Sequence, residues 1–536
     1  MFQHSRSGML FCALALAVAC GSGAAATLCV NPTGASGCQS TIGAAVTAAA
    51  EGDVIQVAAG TYKEDVKINK PLSLIGAGSA TTILDATGLA NGVNVDGSAA
   101  APKSGVANVV VAGLTVENAN FQGILVQNAS FVTIYNNQVL GNNKGLVTSG
   151  SEPTCPGLPA ALAQGEDFDC GEGIHLTAAD HTVVSNNVVQ HNSGGILISD
   201  DTGAVHDNVI SNNLVSDNGF ACGITMASHS GMGVYHNTVV GNQSLRNGLL
   251  APGQGAGVGL YAPGPGSQTY ANVVVNNQLM GNGLPGVAMH NHASVPGAPP
   301  VVFNDNMVLA NTISQNGADT DDTATSGPTG INVASIAPMN GNIIALNMIS
   351  QESIGLVYRA PGEGTAVLNN LIAGIAIENH GGGLLSAPEN WFGCLGGPAS
   401  PACAGTTGTL TVAPWLTVPF SASTLPPAPN SGGGTMPPPT GVTIVITGPG
   451  GTSATNTFQT LSSAVSLDAS QSTSSNAGGL SYSWKIAPGY PTVAIAGGNS
   501  AKPTIQLPYP GTYQLILTLT DSTGATATAT VTLQYA

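Results

Sequence analysis

The feature that most constrains this chain is a short motif that returns along its middle: a glycine, an apolar residue, any residue, and a second apolar residue. It reads Gly-Ile-Leu-Val at 123–126, Gly-Ile-His-Leu at 173–176, Gly-Ile-Leu-Ile at 195–198, Gly-Ile-Thr-Met at 223–226, Gly-Val-Gly-Leu at 257–260, Gly-Val-Ala-Met at 286–289 and Gly-Ile-Asn-Val at 330–333. With the related glycines at 145, 355 and 374, successive starts lie 19 to 44 residues apart, and 22 is the interval that recurs at the tight end. A period in the low twenties with insertions marks a solenoid. The apolar residues alternate, so each glycine is expected to open a short strand whose first and third following residues point inward. The second, fourth and sixth then point outward. Asn136, Asn186 and Asn208 each lie 13 residues after a unit glycine, and Asn142 and Asn192 three before the next. Such asparagines are expected at turns, their amides stacked from coil to coil. A chain that turns after every short strand and returns one strand spacing higher is a parallel β-helix. A leucine-rich repeat has a similar period, but the apolar frame here is mostly Ile and Val rather than Leu.

These units resemble the repeats of right-handed parallel β-helix proteins of the pectate-lyase-like superfamily, above all the bacterial NosD-like group. Between Ile42 and Gly76, the stretches Glu51-Gly52-Asp53-Val54-Ile55, Ala59-Gly60-Thr61-Tyr62 and Pro71-Leu72-Ser73-Leu74-Ile75-Gly76 resemble that superfamily's N-terminal cap and first coils. The Ala-rich segment Thr41 to Ala50 reads as a short helix closing the first coil, since an open sheet end invites aggregation. At the other end, Asn390-Trp391-Phe392-Gly393-Cys394 through Pro414-Trp415-Leu416 resembles the closing segment of secreted bacterial β-helices, with its tryptophans over the last coil. The expected fold is therefore all-β: a right-handed, single-stranded parallel β-helix with an N-terminal cap over residues 27–416.

Residues 417–440, rich in Pro, Gly and Ser, read as a semi-extended linker. Residues 441–536 change to antiparallel-type alternation, as in Tyr513-Gln514-Leu515-Ile516-Leu517-Thr518-Leu519. Tyr482-Ser483-Trp484, Pro510-Gly511-Thr512-Tyr513 and Thr520-Asp521 resemble PKD-type, immunoglobulin-like domains, which implies a small antiparallel β-sandwich with Trp484 between its sheets.

Residues 1–26 read as an export signal: His4 and Arg6, an apolar run from Met9 to Ala19, then Ala24-Ala25-Ala26 before the expected cut. Ala17-Val18-Ala19-Cys20 also resembles a lipoprotein box, which would anchor Cys20 instead. Either way the mature chain is expected outside the cytoplasm, secreted or at the surface or periplasm of a bacterium. Cysteine usage agrees, because Cys29 with Cys38, Cys155 with Cys170, and Cys394 with Cys403 form close pairs suited to disulfides in an oxidising compartment. Zinc fits their spacing poorly. Cys222 is left over and reads as a buried free thiol. The chain has 27 acidic and 10 basic residues and a net charge of −17, so nucleic acid and anionic membranes are excluded as partners.

Candidate chemistry falls on the outward positions after the unit glycines. Asp200, Asp201 and His229 are the candidate catalytic residues; Tyr261, His290, His292 and Arg359 are candidate ligand contacts, with Tyr261 as a platform for a sugar ring. His175, Glu378 and His380 occupy further outward positions. Neighbouring coils should be roughly 4.8 Å apart, which brings Asp201 against His229 and puts His290 two coils beyond. Insertions around 150–171, 246–256, 263–269, 293–300 and 317–328 would wall this face. Imidazoles at His229 and His292 with Asp201 suit zinc or copper, and the Asp319-Thr320-Asp321-Asp322 loop suits calcium, yet neither set has a defined ligand motif, and no cofactor is assigned.

The resemblance implies polysaccharide binding on such a face. It does not bring a family's catalytic set. Asp200-Asp201 resembles the Asp pair of polygalacturonase-like hydrolases, but Gly-His-Gly and Arg-x-Lys are missing and Ser228-His229-Ser230-Gly231 is a weak substitute. No lyase motif surrounds Arg246 or Arg359, and Glu166-Asp167-Phe168-Asp169 stands in a different place from the Gly-Asp-Phe of pectin methylesterases. Three readings follow: a non-catalytic exported β-helix binding glycan or a cell-surface partner along its face, a polysaccharide lyase or glycoside hydrolase with its site between Asp201 and His292, or a structural envelope protein. Against all site assignments stands the reading that these side chains merely decorate solvated strands.

Overall fold

Each unit glycine marks the place where successive coils approach most closely. A Cβ on Gly195 would press into the carbonyl oxygen of Gly223, one on Gly257 would lie 2.6 Å from that of Gly286, and one on Gly330 2.7 Å from that of Gly355. Only glycine lets these strand starts pack at sheet spacing. The computed structural model describes residues 25–99, 105–149, 154–162, 170–250, 255–291, 299–320 and 324–420. It further describes most of 442–535, apart from short stretches at 450, 453–455, 461, 463, 475–478, 487–492, 508–510 and 522–525. The export signal up to residue 24 with Cys20, most of the 417–440 linker, Glu166–Asp169, His292, Asp321 and Asp322 lie outside the described residues.

From residue 27 to 411 the chain is a parallel β-helix. One coil contributes Ile174–Asp180, Val183–Ser185 and Val188–Gln190 before the chain returns as Ile196–Ser199. Strands pair in parallel with their equivalents above and below, Ile174 against Ile196, Ile196 against Ile224, Ile224 against Val258, and Val258 against Val287. These inward residues are all fully buried, and with them Leu176, Ile198, Met226 and Leu260 fill the interior. Each such side chain contributes roughly 1.5–3 kcal/mol by leaving water.

Two expected unit starts fall elsewhere. Gly145 opens no strand: Ile124 pairs directly with Ile174, so residues 123–172 form one coil carrying an insertion stapled by Cys155–Cys170. Gly374 sits two residues early, because Leu356 pairs with Ile377 and Val357 with Glu378 after a register shift near Ser350. Glu378 therefore belongs with His175 and Asn332 at the second position rather than the fourth.

The turns hold the asparagine ladders, with one correction of position. Asn137, Asn187, Asn213, Asn242 and Asn277 form one stack, and each side-chain oxygen accepts from the backbone N–H and the amide of the preceding Asn at 2.8–3.1 Å. Asn136 and Asn186 instead take the left-handed conformation just before the ladder, φ 56 and 55. Asn142 and Asn192 begin a second stack through Asn218, Asn247, Asn282 and Asn316, and Asn208 belongs to a third with Asn237 and Asn272. The period had located the turn; a left-handed residue and a stacking residue share it side by side.

The first coil is closed by a helix, Ile42–Ala48, whose Ile42, Ala45 and Val46 are buried. Thr41 caps it through Ala44 N–H, and the Glu64 carboxylate accepts from the N–H groups of Ile42 and Gly43 at 2.7 and 2.8 Å. At the last coil Trp391 and Phe392 are buried, while Trp415 stays partly exposed and packs on Gly397. The three disulfides form as paired in the sequence reading, and Cys222 is buried and outside any disulfide. The C-terminal residues build antiparallel sheets, Ser481–Ile486 against Gly511–Thr520 and Gly511–Thr520 against Thr526–Tyr535, around a separate core in which Trp484 is 4% exposed.

Candidate functional site

Several of the outward positions are closed to solvent, although Tyr261 and Arg359 are half-buried and His380 is exposed. Asp201, His175, Ser199 and His290 occupy outward positions of the strand ladder that starts at the unit glycines, and Asp200 follows directly after one of these strands, yet all five are buried. For these side chains, reading them as decoration on solvated strands does not hold. Sequence shows which way a strand side chain points but not what lies above it.

Asp200 is the anchor of the segment after Ile224–Ala227. Its carboxylate accepts from the Ser228 hydroxyl at 2.8 Å, the Ser230 N–H at 2.8 Å and the Gly233 N–H at 2.7 Å. Ser228 Oγ in turn accepts from the Gln268 N–H of the next coil. Both carboxylate oxygens are thus engaged by fixed donors.

Asp201 does meet His229: Nδ1 of His229 lies 2.7 Å from one carboxylate oxygen. The other oxygen accepts from the Ser199 hydroxyl at 2.7 Å and lies 3.5 Å from His175 Nε2. His175 Nε2 is 2.8 Å from Ser199 Oγ. Because the serine proton is spent on Asp201, the network assigns Nε2 of His175 as donor to Ser199, and its buried Nδ1 has no partner among the described residues. Burial pushes the Asp201 carboxyl up, but hydrogen bonds and charge from His175 and His229 outweigh it and hold the group well below the usual carboxylate range.

Further along the face, Tyr261 pairs with Ala227 on one side and His290 on the other, and Arg359 follows two coils beyond His290 through Ala334. Tyr261 is half-buried; its hydroxyl is 3.3 Å from the Cys222 sulfur and its ring stands edge-on to His290 at 5.8 Å. His290 Nε2 lies 3.2 Å from Asp319, which also accepts from the Asn332 amide at 2.9 Å. Arg359 is half-buried. The structure therefore makes two clusters, Asp201 with His229, His175 and Ser199, and His290 with Asp319 and Asn332, and it leaves Arg359 apart from both. His175 was legible as an outward residue but not as a partner of Asp201. Asp319, met first as part of a calcium-type loop, is instead the acceptor for a histidine and an amide.

Among the described residues no group of three or more His, Cys, Asp or Glu side chains is arranged to hold a metal. Asp201 is occupied by hydroxyl and imidazole donors, and His292, the third member of the expected metal set, lies outside the described residues. Nor is any helix among them long and apolar enough to cross a membrane.

Set beside known proteins, residues 89–247 match the family model described as periplasmic copper-binding protein (NosD), and residues 454–534 match a family model described as a PKD domain. No curated protein matches the chain. Among solved structures, an alginate lyase from Paenibacillus sp. str. FPU-7 is 14% identical over 72% of this chain and 99% of its own, with a TM-score of 0.39. DFA-IIIase from Arthrobacter chlorophenolicus A6 is 14% identical over 69% and 93%, with a TM-score of 0.44. A nucleoside hydrolase-related hypothetical protein from Saccharophagus degradans is 30% identical over 15% of this chain, with a TM-score of 0.14, and this chain spans only 21% of its length. The chain is thus a parallel β-helix protein that carries a NosD-like stretch within its coils and a PKD domain near its C-terminus.

Proposed function

We propose that this is an exported β-helix protein that binds a glycan along its outer surface without transforming it. The observation that carries this reading is the state of the two carboxylates best placed for acid–base work. Asp200 spends both oxygens on three protein donors and Asp201 spends both on Ser199 and the flanking histidines. A general acid needs a proton near neutral pH, and Asp201 is held far from that. The copper in the matched family's description is not part of this proposal, which rests on the hydrogen bonds that engage Asp200 and Asp201. Three disulfides and the signal-like residues 1–26 support export.

One geometric feature favours a second reading, a carbohydrate-active enzyme. The His229–Asp201 pair has the form of an oriented imidazole whose second nitrogen acts as a base. The test is incubation of the purified chain with neutral and acidic polysaccharides, recording both retention and the release of reducing or unsaturated ends. Retention without new ends is expected. Ends that disappear in His229→Ala would establish the enzyme and end the non-catalytic reading; retention of no polymer would also sink the proposal.

A further inference from the structure

Beside the buried clusters, the same coils carry a row of rings on the outside. Past the candidate face the chain passes through Val205–His206, Val234–Tyr235 and Thr269–Tyr270, which pair in register so that His206, Tyr235 and Tyr270 stand one above another. Their rings stack at 4.9 and 5.0 Å, 12° and 11° from parallel. His181 joins below, edge-on to His206 at 6.4 Å, and His236 stands edge-on to Tyr235 at 5.3 Å. All are half-buried except His236, which is exposed. Tyr235 has a ring stacked on each face, His206 on one side and Tyr270 on the other, so the part of it that meets solvent is its edge. The phenol oxygens of Tyr235 and Tyr270 have no hydrogen-bond partner among the described residues, while the imidazoles of His181 and His206 are turned by Nδ1 bonds to Asp180 and Asp207 at 2.7 and 2.8 Å.

The geometry points to a binding rail: we propose that this row holds an extended, neutral, hydroxyl-rich polysaccharide running along the helix axis, through hydrogen bonds to the ring edges. The proposal rests on the glycan-binding reading and gives it a place away from the buried Asp201 cluster. The polar edges recur at coil spacing, which suits a ligand that itself repeats. The stack fixes each ring before binding, so little side-chain freedom is lost on contact. Asp180 and Asp207 are each matched by an imidazole, and a chain of net charge −17 repels polyanions, so the occupant is neutral rather than a polyuronate. The buried network has its part here. Asp200 holds the Gly233 N–H directly before Val234–Tyr235, and Ser228 holds the Gln268 N–H directly before Thr269–Tyr270, so the inner carboxylate sets the turns that present both tyrosines.

The experiment is affinity electrophoresis of the full secreted chain in gels containing a neutral β-glucan, a neutral xylan or a polyuronate, with product ends assayed in parallel. Tyr235→Phe with Tyr270→Phe keeps the stack and removes the two hydroxyls; each loss should weaken retention roughly threefold to tenfold. The melting temperature should not move. Tyr135→Phe, on Thr133–Tyr135 of a different face, should retain polymer like the parent chain. Parent-like retention by the Tyr235/Tyr270 variant, or equal loss in Tyr135→Phe, overturns the rail. So does retention on the polyuronate alone, although glycan binding then stands. New ends overturn the non-catalytic reading, and the tyrosine variants still decide the rail.

Discussion

At the residue scale, Asp200 and Glu352 are buried carboxyl groups whose hydrogen bonds hold neighbouring turns in place. Asp200→Ala strips three donors of their acceptor inside the protein, and leaving such groups unpaired costs on the order of 3 kcal/mol or more. Thermal melting should show a large loss, and Asp200→Ala should also weaken any retention that depends on Tyr235 and Tyr270. A melting temperature equal to that of the parent chain would remove Asp200 from this role. Glu352 stands where the second asparagine ladder would place its next amide. One oxygen accepts from the N–H and amide of Asn316 at 3.0 Å, and the other is buried without a partner. Burial raises its carboxyl to about 7, against the pull of the Asn316 donors. A raised carboxyl means that the folded chain holds a proton the unfolded chain has lost, between about pH 4.5 and 7. Stability should therefore be fullest below about pH 4.5, fall by on the order of 3 kcal/mol as pH rises through that window, and level off above it. Glu352→Gln should remove this part of the slope and melt higher than the parent at pH 8. An unchanged slope in denaturant titrations at pH 5 and 8 would rule it out.

At the element scale, the unit is the coil, and it is held by two repeated contacts. Asn213 accepts from the backbone and amide of Asn187 and donates to Val184 O and Asn242. Asn213→Ala leaves several buried groups unpaired, and a loss of about 3 kcal/mol or more is expected in denaturant unfolding. Asn213→Asp should also be destabilising, since it keeps the acceptors but loses the two donations. The glycine contact is steric. Gly195→Ala drives a methyl group into the Gly223 carbonyl and against Val215, so it should destabilise more than Gly88→Ala, where nothing lies within 4 Å and only the left-handed backbone (φ 79) resists. Equal losses at the two sites would mean that coil approach is not what the unit glycine serves.

At the scale of the whole molecule, each coil touches chiefly its neighbours, so stability is a sum of coil and interface contributions rather than one central core. A lesion in a middle coil, Asn213→Ala for instance, should broaden or split the denaturation curve, with hydrogen exchange rising first around residues 183–247; a single sharp transition would argue against this additivity. The disulfides close loops of 9, 15 and 9 residues, none of which crosses coils at a distance. The sequence by itself determined the solenoid, because a strand that alternates and a glycine that permits close approach are local properties repeated in order. It also determined the cysteine pairs and the contact of Asp201 with His229, since register follows once the period is known. Only the tertiary structure decided that His175, Ser199, Asp201 and His290 are buried, that Gly145 opens no coil, that Asn137 rather than Asn136 stacks, and that His175 and Asp319 complete the clusters. Those outcomes depend on how insertions of unequal length fold back across neighbouring coils, and insertion length carries no information about where a loop comes to rest. The row of His206, Tyr235 and Tyr270 is not legible in the sequence for a related reason: the residues lie at unequal distances from their unit glycines, and only pairing in space aligns them.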